Sequence, residues 1–94
     1  MSTDEMDLTE FEQALAQLPD GYLEGNFDGR RWGVTVRRSG DGRRLWLFGE
    51  ELGGTDVVSF NRYLLDGDQS ALKPCEMSSD KVIAFVLKFR PPTL

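Results

Sequence analysis

Residues 29–44 hold six arginines against one aspartate, and four of them surround a single turn: Arg37-Arg38-Ser39-Gly40-Asp41-Gly42-Arg43-Arg44. Arg30 and Arg31 stand at the other end of the segment that leads into that turn. A guanidinium is planar, always charged, and offers donors in a fork that matches carboxylate and phosphate. Such a hairpin can take an acidic segment of a protein. With Trp32 or Trp46 beside it, it can also stack unpaired bases. The plainer expectation is a solvated hairpin whose arginines pair with acidic residues elsewhere in the chain, since charged patches are common and weakly specific.

Catalytic chemistry is poorly supplied. There is no histidine, which removes the commonest general base and metal ligand. A Ser–His–Asp or Cys–His nucleophile is impossible within one chain. A zinc site would have to use one cysteine and carboxylates, a poor donor set. Neither G-x-x-x-x-G-K-[ST] nor a G-x-G-x-x-G between strand and helix is present. No cofactor is expected. Cys75, in Lys73-Pro74-Cys75-Glu76-Met77, is the single reactive candidate. It precedes a helix, whose N-terminus would lower a thiol pKa, while Glu76 opposes that effect. The expectation is a small, partly buried thiol at a strand end. The segment Gly49-Glu50-Glu51-Leu52-Gly53-Gly54-Thr55-Asp56 has three acids, but their spacing does not fit an EF-hand, and it reads as a connection between strands.

The elements that must position these residues follow from periodicity. Leu8, Phe11, Leu15 and Leu18 form one stripe at helical spacing, predicting a helix over 7–18 that Pro19-Asp20-Gly21 stops. Residues 1–6 are expected to be disordered. The period then becomes two. Strands are predicted over 22–27, 31–38, 44–49, 57–65 and 71–75, with turns at Asp28-Gly29, 39–42 and Asp66-Gly67-Asp68. Trp32, Val34 and Val36 share one face of the second strand. The third strand is apolar on both faces, with Leu45 and Leu47 alternating with Trp46 and Phe48. Pro74 suits an edge position. A final helix is predicted over 79–89, capped by Ser78 or Ser79, with a stripe of Val82, Ile83, Val86 and Phe89 and with Phe85 beside it.

The fold class is therefore α+β: a five-stranded antiparallel β-meander with an N-terminal and a C-terminal helix, as one domain over 7–91. If both helices cover one face, Trp46 and Phe48, or else Leu45 and Leu47, lie open on the other, where Tyr63 and Asn61 can join them to mark an interface. If one helix covers each face, a monomer buries everything.

The 94 residues are 39% apolar and 29% charged, a globular composition. The single cysteine forbids an intrachain disulfide. The net charge of −5 is uneven: residues 1–28 hold eight acids and no base, against the arginine cluster that follows. Bulk charge argues against a nucleic-acid binder, and the local cluster keeps that option. No apolar run approaches the ~20 residues that span a bilayer. The acidic N-terminus does not read as a signal peptide, so a cytoplasmic location is expected.

Arg31-Trp32-Gly33-Val34-Thr35, the run from Leu45 to Asp56, and Lys73-Pro74-Cys75-Glu76-Met77 together resemble a family of short stand-alone bacterial proteins of unassigned role, over roughly residues 20–91. Some members are labelled peptide methionine sulfoxide reductase. A-type reductases use a Gly-Cys-Phe-Trp motif that this chain lacks. B-type enzymes need a catalytic cysteine and commonly a zinc site of cysteines, where this chain offers Cys75 with no resolving partner. The resemblance carries no activity over. The expected function is a protein-interaction module using Arg37, Arg38, Arg43 and Arg44, with Arg31, Trp32 and Trp46, and with self-association as an option. The alternatives are single-stranded nucleic-acid binding and a thiol enzyme at Cys75.

Overall fold

The computed structural model describes residues 3–65, 69–75 and 77–91, with side chains from Glu10 onward in the first helix and from Ala71 in the last strand. The order is α1 (Thr3–Ala16), β1 (Gly21–Phe27), β2 (Arg30–Arg38), β3 (Arg44–Glu51), β4 (Val57–Leu65), β5 (Gln69–Pro74) and α2 (Ser79–Lys88). The five strands form one antiparallel sheet in sequence order. The turn expected at Asp66-Gly67-Asp68 lies outside the described residues.

Local chemistry explains the connections. Asp28 and Gly29 have φ of 55° and 75°, the two positive values that a type I′ turn requires. The β2–β3 turn is tied by Asp41, whose Oδ1 accepts from the Ser39 hydroxyl at 2.7 Å and the Arg43 amide at 3.0 Å. Ser39 Oγ in turn accepts from the Arg44 amide at 2.9 Å. These bonds hold the Asp41 carboxyl below the usual carboxylate range, the Ser39 hydroxyl first and the Arg43 amide second.

Both helices cover the same sheet face. The buried strand residues, Trp32, Val34, Val36, Leu45, Leu47, Val58 and Phe60, are set on one face by the register, and they pack with Phe11, Leu15 and Leu18 from the α1 segment and Val82, Phe85, Val86 and Phe89 from the α2 segment. Phe85 sits at the centre, 4.8 Å from the Trp32 ring and 4.9 Å from that of Phe27. Each such side chain contributes about 1.5–3 kcal/mol through removal from water.

Several expectations need correction. α1 begins at Thr3, before the predicted start, because no Gly or Pro interrupts residues 3–18; only residues 1 and 2 of the segment expected to be disordered lie outside the description. It ends at Ala16, where tighter turns take over: Gln17 donates to Ala14 O and Leu18 to Leu15 O, before Pro19 forbids continuation. The side chain of Leu8, first in the predicted stripe, lies outside the described residues. In α2, Phe85 is fully buried and Ile83 only half so, the reverse of their predicted ranks, because the Phe27–Trp32 pocket accepts an aromatic ring. Ser78 is the cap, its Oγ accepting from the Lys81 amide at 3.1 Å.

Two features have no counterpart in the pattern. Past α2, Arg90 pairs with Asn26 through two main-chain hydrogen bonds of 2.8 Å, partly covering the β1 edge. Arg62, on the helix-covered face of β4, keeps 10% side-chain exposure and stands 3.6 Å from Glu12 of α1.

No helix among the described residues is long and apolar enough to cross a membrane.

Candidate functional site

Because both helices take one face, no described element covers the other face of the sheet. β3 is its middle strand, and alternation puts Arg44, Trp46, Phe48 and Glu50 of that strand on the uncovered side. The register sets Arg37 of β2 and Asn61 of β4 on either side of Trp46, with Lys73 of β5 next to Asn61. Trp46 and Phe48 stack nearly parallel, at 9° and 6.1 Å between centroids. The Arg37 guanidinium lies 5.8 Å from the Trp46 ring centre, a cation–π distance.

These groups line an open groove of about 400 Å³ between Arg37, Arg38, Ser39, Arg44, Trp46 and Asn61. A second groove of about 380 Å³ shares Ser39 and Arg44 and runs on beside Arg43, Tyr63 and Leu65. Among the described residues, neither Arg37 nor Arg44 has a carboxylate partner. Two forked donors beside an indole and an amide suit an anionic group that accepts two hydrogen bonds, such as a carboxylate or phosphate.

Several of the other cations are engaged. Arg31 donates to Glu24 Oε1 at 2.8 Å, at the far end of the face, and Tyr22 OH donates to Glu24 Oε2 at 3.1 Å. Arg31 first, then Tyr22, hold the Glu24 carboxyl low. Arg30 pairs with Glu51 at 3.1 Å and Lys81 with Asp56 at 2.6 Å.

Of the residues expected to form the site, the fold brings Arg37, Arg44 and Trp46 together. Arg43 is exposed at the hairpin, in the adjoining groove. Arg31 is held away by Glu24. One expectation fails. Trp32 is 1% exposed and belongs to the core, because the parity that turns Val34 and Val36 toward the helices turns Trp32 there too. Arg38 lines the groove, but three of its five donors are engaged around the end of α1 and the segment after it: Nη1 on Asp20 Oδ1 at 2.6 Å, Nη2 on Leu15 O at 3.0 Å and Leu18 O at 2.7 Å. Cys75 is exposed rather than partly buried. It stands one residue beyond β5, its amide donating to Ser59 O at 3.0 Å. Asn61 was expected to join the open aromatic face; Ser39 was not foreseen as a lining residue. Asn61 was readable, since it alternates with Phe60 and so shares the open face with Trp46.

Comparison with protein-family models, with curated proteins and with solved structures gave no match.

Proposed function

We propose that this chain is a protein-interaction module that receives a partner on its uncovered sheet face, anchored by Arg37 and Arg44 around Trp46. The observation that carries the proposal is the pairing of two unspent guanidiniums with a stacked aromatic pair on a sheet face that no helix covers. Aromatic and arginine side chains are the residues most enriched where binding energy concentrates. Charge on the groove favours an acidic segment of the partner.

Tagged protein is incubated in lysate with and without nuclease, at low and moderate salt, beside the variant Arg37→Glu/Arg44→Glu. A protein band that survives nuclease and is lost in the variant supports the module. A variant that retains every band of the wild type refutes it.

Single-stranded nucleic acid is the second reading, favoured by Arg37 over an indole that is stacked on Phe48. It predicts that retained material contains nucleic acid and that binding falls steeply with salt. Binding that is flat across salt removes it.

A further inference from the structure

The open face of β3 reads, in order, cation, aromatic, aromatic, anion: Arg44, Trp46, Phe48, Glu50. Glu50 is exposed and, like Arg44, has no charged partner among the described residues. β3 is also the central strand of the five. The uncovered face is thus centred on a stripe that complements itself when reversed.

We propose that the partner of this face is a second copy of the chain, packed sheet on sheet about a two-fold axis that crosses β3 between Trp46 and Phe48. The inference rests on the interaction-module reading and names its partner. An axis lying between the sheets and perpendicular to β3 sets Arg44 of one copy over Glu50 of the other, twice, and Trp46 over Phe48, twice. The same operation sets Tyr63 over Val57 on the neighbouring strand, both on the open face. An axis along the strand would instead place Arg44 on Arg44 and Glu50 on Glu50. Charge therefore selects the antiparallel arrangement, and a two-fold interface is self-complementary by construction. The result has an apolar, aromatic centre and a charged rim, the usual anatomy of a protein interface. Aligned sheets pack about 10 Å apart, a gap that interdigitated aromatic side chains fill.

The test is sedimentation equilibrium from about 1 μM to about 1 mM, with folding checked by circular dichroism. Wild type is expected to dimerise. Arg44→Glu and Glu50→Arg, tested singly, each turn both ion pairs into repulsions and raise the dimer dissociation constant about tenfold or more. An equimolar mixture of the two folded variants recovers a heterodimer. One copy then carries acids at both positions and the other carries arginines at both, so each of the two contacts again joins opposite charges. Recovery on mixing is specific to this axis, and a merely structural role for either residue would not produce it. A wild-type chain that stays monomeric throughout the series overturns the dimer. So do singles that dimerise as well as wild type, or a mixture that stays monomeric. If the chain is monomeric yet still retains a partner that Arg37→Glu/Arg44→Glu loses, the interaction module stands without the dimer. If both fail, the face has neither role.

Discussion

The Arg38 guanidinium donates to Oδ1 of Asp20 at 2.6 Å across the junction between the end of α1 and the end of β2. Its second nitrogen donates to two main-chain carbonyls, that of Leu15, which also accepts from the Leu18 amide, and that of Leu18, two residues past the helix. The side chain is 25% exposed, so these bonds are only partly screened. Arg38→Ala should cost about 2 kcal/mol, since it removes three hydrogen bonds at once and takes from the part-buried Leu18 carbonyl its guanidinium donor. Arg37→Ala, one residue away on the open face, should cost less than about 1 kcal/mol. Urea denaturation of the two variants checks the contrast. Equal losses would mean that Arg38 does not cap the helix.

Gly25 makes a second prediction, at the other end of the sheet. A Cβ there would lie 2.5 Å from Arg90 O and 2.5 Å from Phe89 Cζ, and the first is backbone that cannot swing away. Gly25→Ala should therefore push the chain after α2 off the β1 edge and cost about 1–3 kcal/mol, the usual penalty of overpacking. Gly40→Ala is the control, because nothing lies within 4 Å of its Cβ position and it should be nearly neutral. Hydrogen exchange at the Asn26 and Arg90 amides, which bond each other's carbonyls, should quicken in Gly25→Ala alone.

These contacts show where pattern reading stops. The meander was legible because the second and fourth strands alternate and each of the first two turns carries its own chemistry, Asp28-Gly29 above all. The face chosen by the helices was not, because α1 and α2 each show one apolar stripe whichever side they cover. That ambiguity is why Trp32 and Trp46 looked interchangeable as binding residues: both alternate correctly, and only the location of the helices separates core from surface. Arg38 likewise looked like Arg37, since its partners are carbonyls of a helix 20 and more residues away in sequence. The positions of Arg37, Arg44 and Trp46 in one groove did follow from alternation and register alone.

Asp56 supplies a pH dependence. Its Oδ1 accepts from Lys81 Nζ at 2.6 Å and from the Val57 amide at 2.9 Å, linking the β3–β4 loop to the first turn of α2. The Lys81 bond, foremost, holds its carboxyl below the ordinary value of 3.8. A carboxyl depressed by folding adds stability that is complete above the unfolded-state pKa and is lost as pH falls through the lower folded value. Wild type should therefore exceed Asp56→Asn in urea midpoint near neutral pH, and the difference should shrink as pH falls through the depressed folded-state titration. Both side chains are substantially exposed, so the gap is small and should shrink with salt. A difference that grows on acidification would refute the assignment.

The two tryptophans give an optical test of which face is covered. Trp32 is enclosed by Phe27 and Phe85, while Trp46 is half-buried on the open sheet with Phe48 on one side and Arg37 over its ring. Removal of Trp46 by Trp46→Phe keeps an aromatic ring against Phe48 and leaves Trp32 as the sole indole. Its emission should then be blue-shifted and barely quenched by acrylamide, whereas wild type should show an added, quenchable red component. Arg37→Ala should redden that component further by uncovering the ring, at a stability cost of about 0.5–1 kcal/mol for the lost cation–π contact. Any occupant of the open face, whether a second copy or another protein, must cover Trp46 and leave Trp32 unchanged. Binding should therefore shield the red component of wild type and produce no spectral change in Trp46→Phe. A binding-linked change that persists in Trp46→Phe would place the contact on the helical side of the molecule instead.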